Sequence, residues 1–171
     1  GIRDLRMSRG RGDVYKRQTE KFAKLQKPKD AFLFCCYAGL RYSDFTHLTS
    51  ENIIEFHKEF WLIYKSVKTG TEVRLPLYLL FEGKGIHILH RYKNDLNSFF
   101  KLKDNSNLNK ELNVLAKLAG ISKHISFHTA RHTNATLLIY NGANITTVQK
   151  LLGHKSVKTT QVYASAPRMV A

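Results

Sequence analysis

Sulfur, acid and long apolar runs are all scarce in this chain of 171 residues. Its two cysteines are neighbours, Cys35-Cys36, inside the run AFLFCCYAGL. Adjacent cysteines make a poor disulfide and offer no zinc-ligand spacing, so the pair reads as small buried hydrophobes. The same run is the longest apolar stretch, too short to span a bilayer, and no signal peptide stands at the start. A reducing cytoplasm is the expected compartment. Asp and Glu number 13 and are scattered singly, so the hard-oxygen cluster that Mg²⁺ needs is missing. Internal repeats and low-complexity tracts are missing too.

Base is plentiful. Lys and Arg number 28, giving a net charge of +15. Such an excess favours a polyanionic partner, and nucleic acid is the obvious one. An anionic membrane surface competes, but no basic amphipathic helix with an apolar opposite face stands out. Residues 1–18 hold six cations and two acids without an apolar period; they read as a disordered or non-native leader, with a DNA-binding arm as the functional alternative. Setting them aside leaves 22 basic against 11 acidic residues, so the basic character is not confined to that segment. The remainder, residues 19–171, is 153 residues and suits one domain with its own core.

Periodicity orders that domain. Residues 21–27 read as the tail of a helix broken by Pro28, after which Asp30 caps a buried helix over Ala31–Ala38. Three segments rich in β-branched and aromatic residues follow, Ile53–Phe56, Phe60–Tyr64 and Val73–Leu77. Residues 57–59 turn the first pair and Lys68–Thr71 the second, with Gly70 free to take a positive φ. Phe81–Gly85 reads as a loop. Ile88, Tyr92, Leu96 and Phe99 then form one helical stripe, and Leu108, Leu112, Leu115 and Ala119 another that Gly120 stops. The order predicts an α+β fold, mostly helical, around a small three-stranded antiparallel sheet.

The stretch from Phe127 to Tyr163 is the most informative. His128 and Arg131 are three apart at the head of an apolar-periodic run that Asn141-Gly142 ends. Asn144 caps a second helix with the stripe Ile145, Val148, Leu151 and Leu152, and Gly153 hands the chain to His154. Tyr163 follows nine residues later, in a short segment opened by Ser156. Cations and imidazoles at helix ends around a tyrosine suggest phosphate chemistry, because guanidinium and imidazolium groups neutralise phosphate charge. His-x-x-Arg, Leu-Leu-Gly-His and the tyrosine, in that order, resemble the tyrosine recombinase (phage integrase) family of bacterial mobile elements.

The resemblance covers about Pro28 to Tyr163 and implies roles. Gly39-Leu40-Arg41 followed by Asp44 is similar to the family's first arginine box, with Arg41 catalytic and Asp44 holding the site. Lys68, in a Lys-Thr-Gly turn, matches the lysine that protonates the leaving group; Lys65 is the fallback. Tyr163 matches the nucleophile, His128 is the candidate base, and His154 would hydrogen-bond the phosphate that Arg41 and Arg131 neutralise. Double-stranded DNA and self-association into a tetrameric synapse are the implied partners, with no metal, cofactor or membrane. A type IB topoisomerase and a non-cleaving DNA-binding fragment remain as alternatives. His128 and His132 are spaced like zinc ligands on a helix, yet no Glu lies between them and no third ligand is near in sequence. The family's N-terminal DNA-clamping domain is expected to be absent, and only eight residues follow Tyr163. Asn134 stands where the family usually has an apolar residue.

Overall fold

The computed structural model describes residues 22–163. The expectations for the leader and for the residues after Tyr163 therefore lie outside the described residues. Helix α1, described over residues 22–38, runs straight through Pro28. The helix break expected there does not occur. Pro28 is well past the first turn and can make no bond to the carbonyl of Lys24, a loss worth about 3 kcal/mol. Burial of Leu25, Ala31, Phe34, Cys35 and Ala38 on one side of the helix offsets it. Asp30 is correspondingly not a cap. It is fully buried and accepts hydrogen bonds from Gln26 (2.9 Å), Arg91 (2.9 Å) and the Tyr92 hydroxyl (2.9 Å), which bind α1 to the helix carrying Arg91.

Helix α2 (Tyr42–Thr46) follows the Gly39–Arg41 bend and is anchored by Phe45. Its ring meets Phe34, Phe99, Phe100 and Phe127 at centroid distances of 5.3–6.1 Å, so one aromatic cluster joins four segments of the chain. The sheet has the order β1 (Ile53–Phe56), β2 (Glu59–Lys65), β3 (Glu72–Pro76), all antiparallel. Alternation puts Leu62 and Tyr64 of β2 and Val73 and Leu75 of β3 into the core. Phe56 pairs with Glu59, so the first turn is only His57-Lys58, with φ of 51° and 66°. Pro76 ends β3, where its missing N–H does no harm.

The single stripe expected over Ile88–Phe99 is two helices, α3 (Lys84–Arg91) and α4 (Leu96–Phe100). Asp95 ends the continuity by accepting from the Ser98 amide at 3.0 Å, which starts α4 afresh. Tyr92 still stacks on Phe99, with centroids 4.2 Å apart, which explains the shared apolar spacing. The segment expected as a loop before them contains a 3-10 turn, Leu80–Gly83, with Phe81 and Glu82 in left-handed geometry. Then come α5 (Asn105–Leu118), α6 (Phe127–Tyr140), α7 (Ile145–Leu152) and α8 (Lys158–Gln161). Ser126 and Thr129 form a capping box on α6, and Asn144 caps α7 through the Thr147 amide at 2.8 Å. The fold is α+β with helices dominant, as the sequence pattern predicted. Among the described residues no helix is long and apolar enough to cross a membrane.

Candidate active site

Four segments converge: the Gly39–Asp44 bend, the β2–β3 turn, α6, and the stretch from the end of α7 to Tyr163. The bend presents Arg41, whose side chain is 16% exposed. One terminal nitrogen lies 3.4 Å from an Asp44 carboxylate oxygen and 3.3 Å from the Ser66 hydroxyl. Asp44 is buried and does more than face Arg41. It accepts the Val67 amide at 2.8 Å and the Ser66 hydroxyl at 3.3 Å, so it grips the root of the β2–β3 turn. Across that turn, the Thr69 hydroxyl donates to the Gly153 carbonyl at 3.3 Å. Lys68, exposed between these two ties, is thereby held near the loop that carries His154. Lys65 lies instead within strand β2, opposite Glu72.

Arg131 is 1% exposed, the largest of the fully buried side chains among the described residues. Its Nη1 donates to the Gly39 carbonyl at 2.7 Å and its Nη2 to the Leu152 carbonyl at 2.5 Å, joining the first arginine segment to the end of α7. Burial and the neighbouring Arg41 push its pKa down to about 10, which leaves it charged at neutral pH. Gly153 turns the chain with φ +62°; a Cβ there would come within 2.6 Å of a Val73 methyl, so only glycine allows this approach to the sheet. His154 follows, buried, with Nδ1 2.9 Å from the Thr160 hydroxyl. Burial, then Arg131 and Arg41, lower its pKa to about 4.

His128 is exposed, and its pKa is lowered by partial desolvation and then by His132, Arg131, Arg41 and Lys68. Tyr163 packs half-buried against the core; burial raises its pKa, and the charges of Arg131 and Arg41 oppose that rise. Arg41, Arg131, Lys68, His128, His154 and Tyr163 thus form one electrostatic neighbourhood. Within it, the ring beside Tyr163 is that of His132, at 5.4 Å, and His128 stands behind it, 4.5 Å from His132. Among the described residues no three His, Cys, Asp or Glu side chains gather as a metal-binding group.

A family profile described as "Phage integrase family" matches residues 15–168. The chain belongs to the phage integrase family. Tyrosine recombinase XerC of Rickettsia prowazekii (strain Madrid E) is 35% identical over 134 residues, 74% of this chain and 43% of that protein. Tyrosine recombinase XerD of Listeria monocytogenes serotype 4b (strain F2365) is 47% identical over 60 residues, 35% of this chain and 20% of that protein. The chain thus spans less than half the length of these relatives. Among solved structures, XerA recombinase superposes with a TM-score of 0.66 at 24% identity, over 91% of this chain and 59% of that one. A lambda integrase(75–356) dimer bound to a COC′ core site gives 0.68 at 18% identity, over 89% and 59%. At these identities the structural likeness is one of fold.

The integrase motifs do not reveal every residue that builds the site. Ser66, which bridges Arg41 and Asp44, and Thr160, which orients His154, belong to no motif and carry no sequence signal beyond being small and polar. In the sequence His132 stands out only by its spacing from His128, yet it is the imidazole that packs beside Tyr163. Tyr64, on β2, has a buried hydroxyl without a hydrogen-bond partner among the described residues.

One pH effect follows from His154. The folded protein resists protonating it, because its pKa lies well below the ordinary 6.5. Its contribution to stability is complete above about pH 6.5 and is lost as pH falls towards 4. The melting temperature should decline across that window, and His154→Gln should flatten the decline, with His128 supplying part of the remaining slope. An identical slope in the variant would assign the effect to other groups.

Proposed function

We propose that this domain cleaves and rejoins duplex DNA through a covalent 3′-phosphotyrosine bond, as part of a site-specific recombinase. The observation that supports this reading best is Tyr163 packed beside the His132 ring in the field of Arg41 and Arg131, which also act on His128 and His154. A phosphodiester resists attack because its charge repels nucleophiles and its alkoxide leaving group is poor. Arg41, still partly exposed, offers a guanidinium fork to the nonbridging oxygens. Arg131 has two of its five N–H donors committed to carbonyls and keeps three, together with its charge. Both arginines also favour the tyrosinate, against the burial that disfavours it.

The Tyr163 oxygen attacks phosphorus, forming the 3′-phosphotyrosine ester as the bond to the 5′ oxygen breaks. The phenol proton passes to the His132–His128 pair, and Lys68 gives a proton to the departing 5′ oxygen. His154 is neutral at pH 7. With the Thr160 hydroxyl donating to Nδ1, its Nε2–H is free to donate to the phosphate. One ester replaces another, so attack by a 5′ hydroxyl reverses the step without ATP. Double-stranded DNA is the proposed partner. Self-association on it is supported by a structural neighbour, a lambda integrase tetramer bound to a Holliday junction (TM-score 0.65). The net charge fits such a polyanionic partner, and the proposed setting is the cytoplasm.

The test is direct. A duplex nicked just beyond the scissile phosphate, so that the short 5′-hydroxyl strand diffuses away, should trap a protein–DNA adduct. Peptide mapping should place a 3′ phosphate on Tyr163. An adduct on another residue would move the nucleophile, and noncovalent binding alone would leave a DNA-binding module.

A further inference from the structure

An α-helix leaves its last carbonyls without intrahelical partners, and burying them unpaired is costly. Helix α1 ends at residue 38 in the core, and only the Cys35 carbonyl is met locally, by the Gly39 amide at 2.8 Å. The next two are satisfied from across the core. The side-chain amide of Asn134, 2% exposed, donates to the Cys36 carbonyl at 3.0 Å and to the Tyr37 carbonyl at 2.9 Å. Asn134 is on α6 three residues after Arg131, and Arg131 takes the Gly39 carbonyl. Residues one turn apart on a helix share a face. Side by side, they hold three carbonyls of residues 36–39. The fit is close: Gly39 has φ +69°, and a Cβ there would lie 2.6 Å from the Asn134 side-chain oxygen and 2.8 Å from a Leu152 methyl.

Two residues beyond Gly39 stands Arg41. We propose that Asn134 is a positioning residue that fixes the exit of α1, and through it the guanidinium of Arg41, relative to Arg131. This inference rests on the DNA-cleavage reading for its catalytic consequence, though not for its geometry. An apolar side chain of similar size fills the same space but leaves two buried carbonyls unpaired, and the bend then shifts to reach water. Misplacement by about 1 Å can cost two orders of magnitude in rate, so a smaller shift should cost roughly tenfold.

Two variants test it, Asn134→Leu and Asn134→Asp. In the protein without DNA, nitrogen-edited spectra of the guanidinium groups should show the Arg41 Nε–H signal shifted or broadened in both. With nicked duplex, the rate of covalent attachment should fall roughly tenfold while DNA affinity stays within about twofold. The aspartate adds a signature that a merely structural role would not give. Its carboxylate repels the two carbonyls, but the protonated acid donates one hydrogen bond. The deficit of Asn134→Asp relative to wild type should therefore shrink as pH falls from 8 towards 6, whereas that of Asn134→Leu should not. Should the leucine variant fail to fold, the aspartate, nearly identical in volume, carries the test through this pH dependence. An unchanged Arg41 signal in a folded variant overturns the proposal. A wild-type protein that never attaches to DNA defeats the cleavage reading, and the guanidinium spectra still decide the positioning role.

Discussion

Tyr163→Phe should form no covalent adduct with nicked duplex DNA, while binding that duplex nearly as tightly as wild type. The substitution removes one oxygen and leaves the ring to pack against His132 and the core, so the fold has little to lose. The chemistry loses its nucleophile, and the adduct yield should drop below detection, at least 10⁴-fold on the scale of removing a covalent nucleophile. A gel shift run beside a denaturing gel separates the two quantities. Residual adduct at a few per cent of wild type would point to another tyrosine. Tyr64 is poorly placed for that role, since burial raises its pKa far above the ordinary value. Equal loss of binding and attachment would instead mean that the hydroxyl serves the fold.

Lys68→Ala carries the second large effect. Loss of a general acid typically costs roughly 10²- to 10⁴-fold. Cleavage of ordinary DNA should slow by that factor, and a substrate with sulfur in place of the bridging 5′ oxygen should restore most of the rate. A thiolate departs without a proton, so the missing lysine ceases to matter. Arg131→Ala should gain nothing from sulfur, because charge at phosphorus still needs neutralising. The structure sharpens the competing assignment. Lys65 pairs along a strand with Glu72, whereas the charge of Lys68 reaches His128. Rescue of Lys65→Ala rather than Lys68→Ala by sulfur would transfer the acid role to the strand.

What could be read from the sequence followed the range of the forces involved. The strands and their pairing were legible because alternation and β-branching act locally, and Gly70 and Gly153 were legible because a positive φ leaves few other choices. The motif around Arg131 announced itself through fixed spacings within and between helices. Pro28 misled because local propensity was overruled by a face of α1 that only the folded core explains. Asp30 misled in the same way: an acid before an apolar run looks like a cap, and nothing nearby in sequence reveals Arg91 and Tyr92 as its partners. The split of α3 from α4 was hidden by the stacking of Tyr92 on Phe99, which imitates a helical repeat. Ser66, Asn134 and Thr160 act through a few hydrogen bonds to distant segments or to a neighbouring ring, and such contacts leave no periodic trace.

The doubly tied turn at Lys68 has a further consequence, in conformational entropy. Ordering a free loop costs roughly 1–2 kcal/mol per residue for the backbone alone. In residues 66–71 that loss is met when the chain folds, through the Val67 amide on Asp44, the Thr69 hydroxyl on Gly153, and the Ser66 and Thr71 backbone pair at 2.8 Å. The lysine side chain keeps its own rotamers, but its backbone is already in place when a partner arrives. None of the affinity for that partner then has to be spent on shaping the turn.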